Sequence, residues 1–176
     1  GCDRTPREKL DDEVLELEKQ GCVLRVGDGY LDGLSADVVF RTPGMHPANP
    51  ALEALRSRGA AVTSEMEAFF EVCPCPLIAV TGSDGKTTTT TLIAKMLEAE
   101  GKKVFVGGNI GKPLLPEIEN ITADDFVVVE LSSFQLIFEV TNLSIPLLIK
   151  ICGNAALYPK TSGSHIVSLS IPNSFF

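Results

Sequence analysis

The sequence predicts an α/β fold built on parallel sheets, and three observations carry that prediction. Helical and extended patterns alternate through residues 1–75. A short apolar strand at Leu77–Val80 is followed by a glycine turn and a helix that opens on Lys86. A second apolar strand, Phe126–Glu130, ends in a carboxylate. Strands that alternate with helices favour parallel sheets, because a parallel neighbour is reached only through a crossover segment.

The helices of the first 75 residues are predicted from their caps. Thr5–Glu8 and Ser64–Glu67 have the capping-box pattern, in which a hydroxyl and a carboxylate satisfy the first helical N–H groups. The first box predicts a helix that ends at Gly21. Asn49-Pro50 predicts a further helix with an apolar stripe, Leu52 and Leu55, and a terminal glycine, Gly59. Short strands are expected between these helices, over 22–26, 37–40 and 60–63.

The loop that follows the strand at 77–80 has the composition of an anion site. Backbone N–H groups at a helix N-terminus point at a ligand, and the helix dipole favours negative charge there. Lys86 adds a point charge for the β- and γ-phosphates, and Thr87 adds a hydroxyl for Mg²⁺. The spacing departs from the common G-x-x-x-x-G-K-[ST] pattern, because Val80 stands where that pattern has Gly. A left-handed turn with a surface lysine is the alternative interpretation.

The helix after the loop carries an apolar stripe, Leu92, Ile93, Met96 and Leu97, and ends near Gly101.

Two further segments are predicted to face the same edge of the sheet as the loop. A strand over 103–106 then runs into Gly107–Gly111, where glycines let the backbone approach a ligand closely; an ordinary turn is the alternative. A short helix is expected over 113–118. Glu130 ends the next strand, where a carboxylate can hold Mg²⁺, although a solvated side chain is the simpler reading.

Composition excludes several classes of protein. The 176 residues carry a net charge of −8 and no basic stripe, which argues against nucleic-acid binding. Of the five cysteines only Cys73-Pro-Cys75 forms a close pair, and it lacks the further ligands of a zinc site. We therefore expect reduced thiols in a cytoplasmic protein. The apolar run Leu143–Cys152 is too short to span a membrane, and no signal peptide is evident.

Three motifs together resemble the Mur ligase family. They are Thr81–Thr87, Gly107–Gly111 and Glu130–Leu136, in that order and at sensible spacing. The last two, with Arg41–Gly44 upstream, are similar to the branch of the family that adds D-glutamate. The resemblance extends from about Asp3 to about Ser144, which is most of the chain.

The resemblance implies three segments. Residues 1–75 would be a Rossmann-like parallel-sheet domain for a UDP-linked substrate, truncated at its start, because the strand and glycine turn expected before Asp3 are absent. Residues 76–144 would be an incomplete P-loop, mononucleotide-binding central domain for ATP. Residues 145–176 would be a divergent tail of unknown structure. A shifted reading frame is one hypothesis for that tail.

The activity implied is an ATP- and Mg²⁺-dependent ligation in peptidoglycan synthesis, and hence in cell wall biogenesis, cell shape and cell division. ATP would phosphorylate the alanyl carboxylate of UDP-N-acetylmuramoyl-L-alanine, and the amine of D-glutamate would attack the acyl phosphate. The family resemblance implies a cytoplasmic monomer that binds neither nucleic acid nor membrane. Other amino-acid-adding and folylpolyglutamate-type ligases, and a non-catalytic ATP-binding fragment, are the alternatives. We expect this chain to be marginally stable and to have weak or no turnover.

The residue roles are likewise implied by the resemblance. Lys86 and Glu130 would be catalytic, and Thr87 and Glu130 would hold the metal. The ATP-binding set would be Thr81, Gly82, Ser83, Asp84, Gly85, Lys86, Thr87 and Thr88. The UDP-substrate set would be Asp3, Arg4, Thr5, Thr42, Gly44, Asn109 and Ser132. The last two would touch either the UDP-sugar substrate or its metal shell.

The chain departs from the family pattern at two places. Asp84 stands where the family usually has Asn, so it is expected either to face the metal or to cap the helix. After Leu136 the Asn-His pair, the modified lysine and the C-terminal amino-acid domain of the family have no counterpart. His165 is not taken as the missing histidine, and His46 is expected in a loop near the substrate.

Overall fold

The computed structural model describes residues 1–46, 48–132, 147–152 and 165–170, the last two segments by their backbone. The chain divides into two compact units. One comprises Gly1–Val39 with Met45–Val62, and the other comprises Phe40–Gly44 with Thr63–Phe176. The mixed α/β architecture with parallel sheets is confirmed. No helix of the described part is both long and apolar enough to cross a membrane.

The first half of the chain forms two small sheets rather than one. Its elements are β1 Cys2–Asp3, a 3₁₀ turn Arg7–Lys9, α1 Asp12–Lys19, β2 Arg25–Val26, β3 Val38–Arg41, α2 Pro50–Ser57 and β4 Ala61–Ser64. Strands β1 and β2 pair in parallel, and β3 and β4 form a separate two-stranded sheet. The single parallel sheet that the alternation suggested is therefore not formed among these described strands.

The helix predicted from Thr5 is wrong at its start. The carboxylate of Asp3 accepts the Thr5 N–H at 2.6 Å, and Pro6 is extended with ψ of 149°. This local turn leaves only a 3₁₀ turn before α1, which begins at Asp12 and buries no side chain fully. The strand expected over 22–26 shrinks to Arg25–Val26, because β1 offers only two partner residues.

The helix predicted at Asn49-Pro50 is confirmed as α2. Asn49 Oδ1 accepts the Ala51 N–H at 2.9 Å, and Pro50 occupies the first turn. Leu52 and Leu55 are each 1% exposed, as their stripe predicts. Gly59 adopts φ of 93°, the left-handed conformation that ends helices.

The second half of the chain forms a five-stranded, all-parallel sheet. Its elements are α3 Glu65–Val72, β5 Leu77–Gly82, α4 Lys86–Ala99, β6 Val104–Gly108, a 3₁₀ segment Leu115–Asn120, β7 Phe126–Glu130, β8 Leu147–Cys152 and β9 His165–Ser170. The strand order is β6-β7-β5-β8-β9. Strand β5 is central, so the loop that leaves it lies in the middle of the sheet edge.

The strands β8 and β9 fall in the segment from 145 onward, whose structure the sequence did not reveal. Ile78 pairs with Leu147 and Gly82 with Ile151, so β8 covers the side of β5 opposite β7. The side of β5 that faces away from β7 is therefore paired with a parallel strand. The apolar run around Leu147–Cys152 has the composition of a strand that is buried in a parallel sheet.

Side chains of β5 and β7 alternate between two cores, as the two-residue period of a strand requires. One face carries Leu77, Ala79, Val127, Val129 and Leu131, which pack with Met66 and Phe69 of α3. The other face carries Val80 and Val128, which pack with Ala94 of α4. Helices thus cover both faces near β5 and β7, so these strands are apolar throughout except at their ends.

The buried face of α4 differs from the apolar stripe in the sequence. Leu92 and Met96 are 57% and 62% exposed, whereas Thr90 and Ala94 are buried. Ile93 and Leu97 pack partly against the Val80 cluster. Small side chains face the sheet because they let the helix backbone lie close to the strands, which apolar periodicity alone does not reveal.

Candidate functional site

The site is built where β5 passes into α4. Gly82 and Gly85 have φ of 148° and 72°, a region that side chains disfavour, so the turn requires glycine at both positions. Gly85 is the N-cap of α4 and contributes no capping side chain. The N–H groups of the first turn of α4 are therefore left for a ligand, and the helix dipole adds positive potential at the same place.

The side chain of Lys86 folds back onto the turn that precedes it. Its Nζ donates to the carbonyl of Gly82 at 3.0 Å and to that of Ser83 at 3.1 Å. An ammonium has three donors, so these two bonds leave one donor for an anion. The positive charge thus lies at the mouth of the turn, where the helix N–H groups also point.

The Glu130 carboxylate contacts both the first turn of α4 and the glycine segment after β6. Thr87 Oγ1 donates to Glu130 Oε2 at 2.8 Å, and Asn109 Nδ2 approaches Glu130 Oε1 at 3.4 Å. Val80 and Glu130 are partners in the β5–β7 register. Glu130 lies two residues after Val128 and therefore on the face covered by α4, which is why its carboxylate meets the first turn of that helix.

Glycines place Asn109 beside this carboxylate. Gly108 has φ of 94°, and a Cβ there would lie 2.2 Å from the carbonyl oxygen of Glu130. The Asn109 N–H donates to the same oxygen at 2.8 Å. A Cβ at Gly107 would lie 2.4 Å from Leu114 Cγ. Gly108 is therefore required for the close approach to the Glu130 backbone, and Gly107 for close packing against Leu114.

The surroundings of Glu130 suit a divalent cation. Glu130 is only 2% exposed, yet among the described residues it makes no ion pair, and its hydrogen-bond partners there are a neutral hydroxyl and a neutral amide. A buried carboxylate is stabilised by a positive partner. The described part holds no cluster of three or more His, Cys, Asp or Glu that could bind metal. One carboxylate and one hydroxyl fit Mg²⁺, which keeps several waters and takes phosphate oxygens as further ligands.

The other residues expected to bind ATP surround the turn. Ser83, Asp84 and Thr88 are exposed, and Thr81 is buried with an Oγ1 that has no hydrogen-bond partner among the described atoms. Asp84 makes no hydrogen bond or ion pair within the described part of the chain, so the helix cap considered for it is not formed. The other expectation for the exposed Asp84, that it faces a metal, stays a prediction.

The residues expected to bind the UDP substrate fall in both units. Asp3, Arg4 and Thr5 lie in the first unit, where the Thr5 backbone N–H holds the pKa of the Asp3 carboxyl below its ordinary value. Thr42 and Gly44 are exposed and lie in the second unit. They follow Arg41, which is buried and whose Nη2 lies 3.6 Å from Glu67 Oε1.

Three further expectations concern residues near the motifs. Asn109 was expected to touch the UDP-sugar substrate or its metal shell, which stays a prediction, and its side-chain amide faces the Glu130 carboxylate. Ser132 is partly buried just after β7, while residues 133–136 of its motif lie outside the described residues. His46 is exposed in a loop, where its Nδ1 accepts the Ala48 N–H at 3.1 Å.

Glu65 has a structural role that no sequence pattern indicated. Its Oε1 accepts the Leu115 N–H at 2.7 Å, which ties α3 to the 3₁₀ segment after the glycine turn. Ser64 Oγ caps α3 through the Glu67 N–H at 3.1 Å, as the capping box predicts. The Glu67 side chain instead lies near Arg41. No local pattern distinguishes these two glutamates, because their partners are distant in sequence.

Comparison with known proteins supports the resemblance. Residues 80–149 match the Mur ligase middle domain. The chain is 53% identical over 137 residues to the UDP-N-acetylmuramoylalanine--D-glutamate ligase of Clostridium tetani, a match that covers 77% of this chain and 30% of that relative.

Two further relatives carry the same name. That of Symbiobacterium thermophilum is 52% identical over 136 residues, or 77% of this chain and 30% of the relative. That of Ruminiclostridium cellulolyticum is 46% identical over 165 residues, or 93% of this chain and 33% of the relative. The chain thus spans about a third of the length of the relatives it matches. The resemblance predicted from the three motifs is confirmed.

Proposed function

We propose that this relative of the Mur ligases forms the Mg-ATP half-site of an amide-bond-forming ligase. The ligase would act in the cytoplasm and add D-glutamate to UDP-N-acetylmuramoyl-L-alanine during peptidoglycan synthesis. The names of three relatives, each 46–53% identical to this chain, support the reaction. The observation that carries the ATP proposal is the hydrogen bond between Thr87 and Glu130, which puts a buried carboxylate against the N-terminus of α4.

The residues of the site have separable tasks in this proposal. The N–H groups of the first turn of α4 and the ammonium of Lys86 bind phosphate oxygens and neutralise their charge. Thr87 and Glu130 would hold Mg²⁺, which would help to neutralise phosphate charge when bound. Asn109 keeps the Glu130 carboxylate oriented. No side chain has to make a covalent bond, since positioning and electrostatics carry phosphoryl transfer.

Titration calorimetry with Mg-ATP tests the half-site. Lys86→Ala removes the loop ammonium, and Lys95→Ala is its control because Lys95 is an exposed lysine on the same helix. We expect the Lys86→Ala chain to lose binding and the Lys95→Ala chain to retain it. Equal binding by both variants would sink the proposal, as would the absence of binding by the unaltered chain.

A non-catalytic ATP-binding segment is the second candidate, because the contacts of Lys86 and Thr87 at the turn can hold Mg-ATP whether or not a ligation follows. Release of phosphate from ATP separates the two. The ligase proposal predicts phosphate release that requires both UDP-N-acetylmuramoyl-L-alanine and D-glutamate. Binding of Mg-ATP without any such release would favour the non-catalytic candidate.

A further inference from the structure

Two cysteines face each other in the link between α3 and β5. Cys73 Sγ and Cys75 Sγ lie 3.7 Å apart, with Pro74 between them. Cys73 is the C-cap of α3, and its N–H donates to the Phe69 carbonyl at 2.9 Å. The helix-terminal hydrogen bond thus fixes the backbone of Cys73, from which its thiol extends.

The second thiol is held by packing. Cys75 is 8% exposed and lies in the core cluster with Met66, Phe69 and Leu77, whereas Cys73 is only partly buried. The prolines on both sides of Cys75 fix their own φ angles and therefore stiffen the link. The proximity of the sulfurs is consequently a property of the folded chain and not of a flexible loop.

We propose that Cys73 and Cys75 are a dithiol modification site that closes to an intramolecular disulfide on reaction with a small disulfide oxidant such as oxidised glutathione. A disulfide bond is about 2.05 Å long, so the sulfurs have to approach by less than about 2 Å. A metal site is disfavoured, because among the described residues no third His, Cys, Asp or Glu joins the pair.

The order of the steps follows from exposure. The thiolate of Cys73, the more accessible sulfur, attacks the oxidant disulfide, forms a mixed disulfide and releases one glutathione thiolate. Cys75 then loses its proton to solvent and attacks the Cys73 sulfur, which expels the second glutathione. Two thiols give up two electrons and two protons, and the oxidant is reduced to two thiols. Burial, with the adjacent Cys73, raises the pKa of Cys75 to about 12, so Cys75 is the slower, second nucleophile.

Peptide mapping tests the proposal directly. The reduced chain is incubated in glutathione buffers of increasing oxidised fraction, quenched with acid, alkylated with N-ethylmaleimide and digested with trypsin. Residues 59–86 contain no Lys or Arg before Lys86, so one tryptic peptide carries Cys73 and Cys75 and no other cysteine. We expect this peptide to become unlabelled and two hydrogens lighter. Two maleimide labels, or glutathione on both sulfurs, would overturn the proposal when Cys22 in the same sample is glutathionylated.

Three variants and a denatured control test whether the fold favours the disulfide. The alternative is that it forms only because the two cysteines are close in sequence. Cys75→Ser is expected to retain one glutathione on Cys73, and Cys73→Ser to leave Cys75 free for alkylation after denaturation. Cys22→Ser, at an exposed cysteine, should leave the disulfide unchanged. The folded chain should close the bond at a lower oxidised fraction than the same chain in urea. Equal closure in urea would contradict the proposal even where a serine variant fails to fold.

Discussion

The hydroxyl of Thr87 donates a 2.8 Å hydrogen bond to the carboxylate of Glu130, which lies 43 positions later in the chain. This bond links the first turn of α4 to the end of β7. It places a hydroxyl and a buried carboxylate within reach of one cation, at the edge where α4 presents its free N–H groups.

Removal of the Thr87 hydroxyl should weaken Mg-ATP binding. We expect Thr87→Val to lower the affinity by about 10- to 100-fold, because both the proposed metal ligand and the partner of Glu130 are lost. Thr87→Ser keeps the hydroxyl and should bind within a few-fold of the unaltered chain. Thr91→Val is the matched control, since the Thr91 hydroxyl donates only to its own helix at the Thr87 carbonyl. Calorimetry with and without Mg²⁺ measures the effect, and equal affinity of the Val and Ser variants would refute it.

A side chain at Gly108 should destabilise the second unit strongly. The added Cβ would lie 2.2 Å from the Glu130 carbonyl oxygen. This oxygen belongs to the backbone, so it cannot move aside as the end of a flexible side chain could. We expect Gly108→Ala to lower the free energy of unfolding by more than about 3 kcal/mol. Gly101→Ala has a similar φ of 76° but nothing within 4 Å of its Cβ, so it should cost only about 1–2 kcal/mol. Urea unfolding compares them, and similar losses would show that the contact with Glu130 is unimportant.

Two methionines allow the same substitution to be compared at a buried and at an exposed position. Met66 is 5% exposed on α3, and Met96 is 62% exposed on α4. Met66→Ala should lower the free energy of unfolding by about 2–5 kcal/mol, because it leaves a cavity beside Phe69 and Leu77. Met96→Ala should change it by less than about 0.5 kcal/mol. A large loss at Met96 would mean that the face of α4 bearing it is covered in solution.

Asp125 should make stability depend on pH in the acid range. Its Oδ2 accepts the Thr122 N–H at 2.8 Å and the Thr122 hydroxyl at 2.9 Å. The backbone N–H, followed by the hydroxyl and Lys103, lowers the pKa of this carboxyl in the folded chain. Its contribution is therefore fully present above the unfolded value of about 3.9 and is lost as pH falls through the lower folded value.

The measurement is the difference in urea midpoint between the unaltered chain and Asp125→Asn. We expect this difference to be largest at neutral pH and to shrink below about pH 4. Asp124→Asn makes the same change in charge at the exposed neighbouring residue and should show a smaller difference at neutral pH. A difference for Asp125→Asn that is independent of pH would contradict the assignment.

Local signals predicted some elements well. Asn49-Pro50 predicted α2 because its cap is made within three residues, and the apolar run 126–130 predicted β7 with its observed bounds. The capping-box pattern at Thr5–Glu8 predicted a helix start that is not formed, because the Asp3 carboxylate accepts the Thr5 N–H in a local turn. The partners of Glu65 and Glu67, and the exposure of Leu92, depended on contacts that no local pattern contains.

The sequence by itself determined the mixed α/β class, the glycine turn before Lys86 and the carboxylate at the end of β7. These depend on local conformational preference, chiefly the tolerance of glycine for positive φ and the apolarity of buried strands. Only the tertiary structure decided that Glu130 meets Thr87 and that β8 flanks β5. Strand register and the two-residue alternation of side chains set those contacts, and both arise when segments distant in the chain pair with each other.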